Sequence, residues 1–246
     1  MFLLSPLLRA MLKRRHRRLV PVNPNEPTGV DLREDLNIVL PHSAPLIFDV
    51  GANVGQSIDL FQSIYPRAVI HAFEPSPECL KVLSSRHPDQ RVSIHPVALG
   101  ARQEELTFHE YELSVLNSVL PIDRKSEHQF NSVSALRQIK VHADTIDRVA
   151  DDLGIDKIDL LKIDTQGFDL AVLHGASGVL SRKQVQAVMV ELNFISIYEG
   201  QSSVMEILSL LFGHNFELVD FYEKFRQGST LAWCTALFSK RIEVSS

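Results

Sequence analysis

The stretch that decides the fold is LIFDVGANVG, residues 46–55. Its first five residues are apolar except for Asp49, which is typical of a strand buried in a parallel sheet. Gly51 and Gly55 then predict a turn that lets a ligand approach the backbone, and the following helix, to about residue 63, offers free N–H groups. The glycines stand four residues apart, unlike those of the G-x-G-x-x-G dinucleotide fingerprint. Taken alone, this strand–turn–helix unit also has a purely structural explanation.

Apolar runs and helical patterns alternate along the remainder of the chain. This alternation predicts an α/β fold with a doubly wound, mostly parallel sheet. Further strands are predicted at residues 68–73, 92–97, 105–109, 139–143, 158–163, 187–192, 217–222 and 232–239, and helices at 77–85, 144–153 and 204–212. Since the chain shows no internal repeat, the simplest organisation is an extension and linker at residues 1–40 and one domain at 41–246.

An acidic residue follows the second predicted strand, in the segment HAFEP that ends at Pro75. Glu74 would therefore lie at the same edge of the sheet as the Gly51 turn, where open α/β sheets bind ligands. A carboxylate at this strand tip can accept hydrogen bonds from both ribose hydroxyls of a nucleoside. The alternative is a solvated acid in the turn before Pro75. The combination with the glycine turn favours a nucleoside ligand.

Charged residues also end the apolar strand in LLKIDTQGFD, residues 160–169. A buried lysine or carboxylate is costly without a partner, so Lys162 and Asp164 point to a functional site. Glu191 ends the next apolar strand in the same way. Lys162 is expected either to pair with Glu191 or to orient a substrate oxygen. A structural Lys162–Glu191 ion pair between neighbouring strands explains these two residues equally well.

Composition and the remaining motifs exclude several classes of protein. The 246 residues carry a formal charge of −5 and 45% hydrophobic residues, which disfavours both a disordered chain and a broad nucleic-acid-binding surface. The two cysteines and ten histidines show no metal-ligand spacing, so no metal site is predicted. Neither a G-x-S-x-G elbow nor a P-loop occurs, which disfavours acyl hydrolysis and P-loop phosphoryl transfer.

The first residues form a basic amphipathic segment. Six Lys and Arg residues precede the first acid, Glu26, and leucines recur at helical spacing within residues 2–18. The basic residues follow the apolar run, unlike those of a signal peptide, and the run is too short to span a bilayer. Residues 2–18 are expected to contact an anionic membrane surface or to pack on protein, either the chain's own core or a second copy.

Five segments in this order resemble the FkbM family of S-adenosylmethionine-dependent methyltransferases. They are DVGANVG, HAFEPSP, HPVALG, LLKIDTQGFDLAVLHGA and MVELNFISIYEG, within residues 49–200. The resemblance implies a class I methyltransferase (Rossmann-like) fold, a seven-stranded sheet whose last strand is antiparallel. It also implies S-adenosyl-L-methionine as the cofactor.

The resemblance further implies which residues contact that cofactor. Those expected to do so are Asp49, Gly51, Ala52, Asn53, Gly55, Glu74, Pro75, Ala98, Asn117, Ser118 and Asp164. Gln166 and Asp169 depart from the family, whose members commonly have Glu at both positions. The change at Gln166 removes one carboxylate and makes a role for that position as a base or metal ligand doubtful.

The predicted reaction is methyl transfer to a hydroxyl of a sugar, a glycan or a secondary metabolite. Asp164 is the first candidate for the base that removes the hydroxyl proton, with Lys162 and Glu191 as further catalytic candidates and His109 and His142 as less favoured bases. The alternative is a non-catalytic nucleoside-binding protein that acts as an assembly or regulatory partner. An NAD-dependent oxidoreductase is disfavoured by the glycine spacing. We expect a cytoplasmic protein without nucleic-acid partners, or one at the inner face of a membrane.

Overall fold

A seven-stranded sheet and a smaller three-stranded sheet organise the computed structural model, which describes residues 31–126 and 128–240. The strands are β1 (Leu46–Val50), β2 (Val69–Phe73), β3 (Val92–His95), β4 (Ala98–Leu99), β5 (Glu104–Tyr111), β6 (Ala135–Asp144), β7 (Ile158–Ile163), β8 (Val185–Asn193), β9 (Phe216–Gln227) and β10 (Thr230–Lys240). The helices are α1 (Leu32–Val39), α2 (Gln56–Ile64), α3 (Pro77–Arg86), α4 (Ile146–Leu153), α5 (Asp169–His174), α6 (Ser177–Ser181) and α7 (Val204–Gly213).

The large sheet has the order β3-β2-β1-β7-β8-β10-β9. Strands β3, β2, β1, β7 and β8 pair in parallel, whereas β10 pairs antiparallel with both β8 and β9. The predicted class I methyltransferase fold, with an antiparallel last strand, is thus confirmed. Chain order reverses between β1 and β7, and this switch point is where doubly wound sheets bind ligands.

Helices cover both faces of the large sheet and so produce a three-layer core. One face packs against α1, α2 and α3 through residues such as Leu36, Phe61 and Leu83. The other face packs against α4 to α7 through residues such as Ile146 and Leu211. Every residue of β7 is buried because this central strand is covered on both faces. Its apolar pattern, predicted over the same six residues and interrupted only by Asp159 and Lys162, has this physical cause.

Helix α1 packs into the core, although its residues fall within the predicted extension and linker. Leu36, Val39 and Leu40 are buried, and the Tyr222 hydroxyl donates a hydrogen bond to Asp35. The folded core therefore includes residues 32–40. The basic amphipathic segment at residues 2–18 lies outside the described residues, and its membrane contact or self-association stays a prediction. Across residues 31–126 and 128–240, no helix is both long and apolar enough to cross a bilayer.

The small sheet, of order β4-β6-β5, lies in the region whose sequence pattern was weakest. Strands β5 and β6 are longer than the predicted 105–109 and 139–143, and they pair antiparallel. Loop residues between them carry buried side chains, including Leu116 and Ile122, which pack with Tyr198. This packing places the loop over the carboxyl edge of the large sheet, beside the turn that follows β7.

Candidate active site

A cavity of about 400 Å³ opens at the carboxyl ends of β1, β2, β7 and β8, beside the switch point. Most of the residues predicted from the sequence contribute to its lining. These are Gly51, Ala52, Asn53, Glu74, Pro75, Ala98, Asn117, Lys162, Asp164 and Glu191. Asp49, Gly55 and Ser118 lie behind the lining instead, and His109 and His142 also lie outside it. The cavity therefore brings the five motifs together at one place.

The turn after β1 depends on glycine for two different reasons. Gly51 has a φ of 76°, and a Cβ there would lie 1.9 Å from the backbone oxygen of Asp164. The absence of a side chain thus lets the turns after β1 and β7 touch. Gly55 begins α2 with a φ of 92°, and a Cβ there would lie 2.2 Å from Nε2 of His87. Gly55 therefore serves helix packing rather than the cavity lining.

Glu74 is held at the cavity wall by two backbone donors. Its Oε2 accepts a hydrogen bond of 2.9 Å from the Asn53 N–H, and its Oε1 accepts one of 2.8 Å from the Ser76 N–H. Asn53, the donor of the first of these hydrogen bonds, has a left-handed φ of 48°. Burial raises the pKa of Glu74 to about 7, although both backbone hydrogen bonds oppose the shift. Ligand hydroxyls at this carboxyl would favour its ionised form.

Lys162 pairs with Asp49, so the prediction of a Lys162–Glu191 ion pair is wrong. Its Nζ lies 3.0 Å from Oδ1 of Asp49 and donates a 3.0 Å hydrogen bond to the Gly51 carbonyl oxygen. Strand register explains this choice, because Asp49 is the partner of Lys162 across β1 and β7, whereas its partner on β8 is Met189. Burial lowers the Lys162 pKa, but the charges of Asp49 and Asp164 outweigh it and the pKa is raised. Lys162 thus holds the Gly51 turn in place.

Gln166 joins the two carboxyl groups at the other end of the cavity. Its Nε2 donates hydrogen bonds of 2.7 Å to Oδ1 of Asp164 and 3.2 Å to Oε2 of Glu191. Its Oε1 accepts a 2.9 Å hydrogen bond from the Tyr198 hydroxyl. Burial, followed by the charge of Asp164, raises the pKa of Glu191 well above its usual range. The amide at position 166 therefore bridges the Glu191 carboxyl group and an Asp164 side chain that is 37% exposed.

Asp169 and Ser118 support the same turn from behind. Asp169 accepts hydrogen bonds from the Thr165 and Gly167 N–H groups, at 2.9 and 3.1 Å. The Ser118 hydroxyl donates a 2.8 Å hydrogen bond to the Gln166 carbonyl oxygen. Ser118 is buried outside the lining, so this geometry assigns it to support of the turn rather than to the predicted cofactor contact. The neighbouring Asn117 lines the cavity, with its Oδ1 bonded to the Tyr111 N–H.

Sequence reasoning missed two polar residues on the β9–β10 hairpin. Glu223 and Thr235 both line the cavity, and the Thr235 hydroxyl donates a 3.1 Å hydrogen bond to Oε2 of Glu223. Glu223 lies just past the predicted end of its strand, and only its acidic side chain could have drawn attention to it. Within residues 31–126 and 128–240, no cluster of three or more His, Cys, Asp or Glu residues is arranged to hold a metal ion.

Comparison with known families decides what kind of site this is. The family model described as Methyltransferase FkbM domain matches residues 49–218, which include every strand from β2 to β8 and most of the cavity lining. The chain belongs to the FkbM methyltransferase family. Its motifs after β1, β2, β7 and β8 are thus the parts of the FkbM domain that meet at the cavity.

Two curated proteins are similar to this FkbM-family chain. The 2-O-methyltransferase NoeI of Sinorhizobium fredii is 28% identical over 204 residues, which are 78% of this chain and 81% of NoeI. Methyltransferase 1 of Beauveria bassiana is 29% identical over 143 residues, which are 52% of this chain and 57% of that protein. Similarity to NoeI thus extends over most of both chains.

Among solved structures, methyltransferase FkbM from Methylobacillus flagellatus KT has the same fold. The TM-score is 0.53 at 16% sequence identity, over 80% of this chain and 44% of that one. The chain therefore spans less than half the length of this solved relative. At this level of identity the likeness shows the fold alone.

Proposed function

We propose that this FkbM-family chain transfers a methyl group from S-adenosylmethionine to a hydroxyl of a sugar, a glycan or a secondary metabolite. The observation that carries the proposal is that acidic residues line the cavity at two separate places. Glu74 follows β2, whereas Asp164 follows β7 and Glu191 lies near the carboxyl end of β8. With β1 between them, the ends of β2 and β7 lie roughly 10 Å apart, which leaves room for two ligands side by side.

The residues present fit S-adenosylmethionine. Glu74 is placed to accept hydrogen bonds from the ribose hydroxyls, because each of its oxygens retains a lone pair beyond its single backbone donor. Gly51 lines the cavity, and its lack of a side chain lets the turns after β1 and β7 lie in contact at the cavity wall. Lys162 lines the cavity but is neutralised by Asp49, so the lining suits a ligand with net positive charge.

The reaction requires little from the protein beyond alignment and proton removal. When bound, S-adenosylmethionine supplies a methyl group already activated by a positively charged sulfur. Asp164 accepts the proton of the acceptor hydroxyl, because its carboxylate is the partly exposed one and Gln166 fixes its orientation. Glu191, whose pKa burial raises well above its usual range, lies beside Asp164 and is placed to orient the acceptor through a hydrogen bond. Similarity to NoeI, a 2-O-methyltransferase, supports oxygen as the acceptor atom.

Calorimetric titration with S-adenosylmethionine and S-adenosylhomocysteine tests the cofactor. We expect one saturable site in the wild-type chain and a Kd weakened by about tenfold or more in Glu74→Ala, since charge-assisted hydrogen bonds are lost. Glu206→Ala, on the exposed surface of α7, serves as the control and should bind normally. Absence of binding by the folded wild-type chain would overturn the proposal. Binding without methyl transfer to any hydroxylated acceptor would favour the non-catalytic alternative.

A further inference from the structure

The hairpin of β9 and β10 contains an irregularity beside the cavity. Tyr222 pairs with Thr235 and Phe225 pairs with Trp233, so three steps along β9 match two along β10. Glu223 occupies this bulge with a left-handed φ of 47°, which is costly for a residue with a side chain. Bulges redirect side chains, and here Glu223 lines the cavity although the adjacent Tyr222 is fully buried. The left-handed backbone of Glu223 therefore places its side chain in the cavity lining.

An aromatic pair extends the same face of the hairpin away from the cavity. Trp233 stands two residues before Thr235 on β10, so these two side chains share a face, and each contacts a residue of β9 across the hairpin, Phe225 and Glu223 respectively. The offset along the strands is roughly 7 Å. The Phe225 and Trp233 rings stack with centroids 4.7 Å apart and an interplanar angle of 11°. The aromatic pair Phe225–Trp233 therefore lies next to the polar pair Glu223–Thr235 on the hairpin.

The Phe225 ring stacks on Trp233 and is exposed to solvent on its other side. Trp233 is half-buried and also packs against Phe130, with ring centroids 5.5 Å apart. Phe225 lies on the outside of this stack and is 53% exposed. One face of the Phe225 ring is stacked on Trp233, so the opposite face is the one directed to solvent. A flat, exposed apolar ring next to a ligand cavity is a suitable binding surface.

We propose that this hairpin is an acceptor subsite for a saccharide of at least two rings. The inference rests on the proposed function and narrows it from hydroxylated acceptors to oligosaccharides or glycosides. The sugar ring that accepts the methyl group lies in the cavity, where Glu223 and Thr235 bind its hydroxyls. The next ring lies with its apolar face on Phe225. One carboxylate oxygen of Glu223 is engaged by Thr235, so the side chain retains capacity to accept hydrogen bonds from the acceptor.

A saccharide fits this combination of groups better than other hydroxylated molecules do. Sugar rings present a face of C–H groups and a rim of hydroxyls, which matches an aromatic face next to a carboxylate and a hydroxyl. An anionic acceptor is disfavoured because Glu223 and Asp164 both line its part of the cavity. A long hydrocarbon acceptor is disfavoured because the subsite offers one exposed ring flanked by polar groups rather than an apolar groove.

Intrinsic fluorescence provides a direct test, because Trp233 is the one tryptophan of the chain. A panel of methyl monoglycosides and the matching disaccharide glycosides is titrated into the full chain saturated with S-adenosylhomocysteine. We expect disaccharides, but not the monoglycosides, to change the Trp233 emission in a saturable manner. The same panel is assayed for methyl transfer. The KM for the disaccharides should be lower than that for the monoglycosides.

Substitution of Phe225 separates this subsite from the rest of the site. Phe225→Ala should raise the disaccharide KM about three- to tenfold, leave kcat and the monoglycoside KM unchanged, and Phe225→Tyr should restore the wild-type KM. Phe212→Ala is the control, since Phe212 is similarly exposed but packs on Phe238 at the opposite face of the sheet. Equal KM values for one and two rings, or a Phe225→Ala variant with an unchanged disaccharide KM, would overturn the subsite. If the folded wild-type chain does not bind S-adenosylhomocysteine, the proposed function itself is contradicted.

Discussion

Lys162 and Asp49 are register partners on adjacent parallel strands, and their charged groups meet 3.0 Å apart with both side chains buried. The same ammonium group reaches the Gly51 carbonyl oxygen, so the pair ties the centre of the sheet to the turn that opens the cavity. A buried pair of this kind contributes little net stability, but either partner alone is an uncompensated buried charge. The integrity of the β1 turn therefore depends on both residues.

Replacing Lys162 by methionine should destabilise the protein by about 3–5 kcal/mol, because Asp49 is left without its cation. Urea unfolding measures this loss. Lys140→Met removes an exposed lysine 3.7 Å from Glu105 and should cost less than about 1 kcal/mol. The double variant Lys162→Met/Asp49→Asn should regain part of the loss. A Lys162→Met variant as stable as the wild type would contradict the pairing.

Gly51→Ala should lower the free energy of unfolding and weaken cofactor binding. The added methyl group meets the Asp164 carbonyl oxygen at 1.9 Å, so the turns after β1 and β7 must separate. Gly228→Ala is the matched control: its φ is also positive, at 59°, but no atom lies within 4 Å of the added Cβ. The control should cost only the left-handed conformation, about 1–2 kcal/mol. Urea unfolding and calorimetry compare the two variants, and equal losses would argue against contact between the turns.

Glu74 should make cofactor affinity depend on pH. Burial raises its pKa from an ordinary 4.5 to about 7, and ribose hydroxyls bind the ionised form. The Kd for S-adenosylhomocysteine should therefore fall by about tenfold between pH 6 and pH 8, which calorimetry can follow. Glu74→Gln should remove this dependence, whereas Glu206→Gln should retain it. A wild-type Kd that does not change over this range would exclude Glu74 as the titrating group.

The same group predicts how the stability of the ligand-free protein varies. Because the folded pKa of Glu74 is raised, its contribution to stability is fully present below about pH 4.5 and is lost as pH rises through about 7. Burial raises the pKa of Asp169 to about 6, so Asp169 also makes stability fall with rising pH, over a lower pH range than Glu74 does. Histidines whose pKa burial lowers, such as His71, act in the opposite direction, so the comparison with Glu74→Gln isolates the contribution of Glu74. Between pH 5 and pH 8 the Tm of the wild type relative to that of Glu74→Gln should fall, and a difference that stays constant over this interval would contradict the raised pKa of Glu74.

The sequence predicts the central sheet well because its signals are local. Strand β7 is covered on both faces, so four of its six residues are apolar and the two charged ones, Asp159 and Lys162, have ion-pair partners, and its limits can be read from this composition. The start of α3 is equally local, since the Ser76 side chain accepts from the Cys79 N–H and Pro77 occupies the first turn. Helix α1 also begins at a local N-cap, since the Asp31 side chain accepts from the Glu34 N–H, but its place in the core has no local signal. Its burial depends on contacts with distant residues, among them Tyr222.

The parts of the site that sequence reasoning missed depend on strand register. The partner of Lys162 follows from the alignment of β1 with β7, whose paired residues are more than 100 positions apart. Glu223 enters the cavity through a bulge that only the pairing of β9 with β10 defines. Residue type alone therefore identified the carboxylates after β2 and β7 and near the end of β8, while their partners required the assembled sheet.

Gln166→Glu should lower stability, and more so at high pH. The substitution replaces a donor that bonds Asp164 at 2.7 Å and Glu191 at 3.2 Å with a third acidic group. Like charges at these distances disfavour the folded state once they ionise. The Tm should decrease more at pH 8 than at pH 5.5, where a shared proton relieves the repulsion. Gln138→Glu, on the exposed part of β6, is the control and should show no such difference. A Tm decrease of the same size at both pH values would argue against the hydrogen bonds that Gln166 makes to Asp164 and Glu191.

Asp164→Asn should abolish most turnover while leaving cofactor binding intact. The side chain is partly exposed in the cavity and can still accept a hydrogen bond from Gln166 as an amide, so the turn keeps its shape. Loss of the base should lower kcat by about 10²–10⁴, with the Kd for S-adenosylhomocysteine within threefold of the wild type. Asp156→Asn, in the exposed loop before β7, provides a control of the same chemistry. Single-turnover rates with an active acceptor separate the two effects. If binding were lost but bound complexes reacted at the wild-type rate, Asp164 would be a cofactor ligand and the base would lie elsewhere.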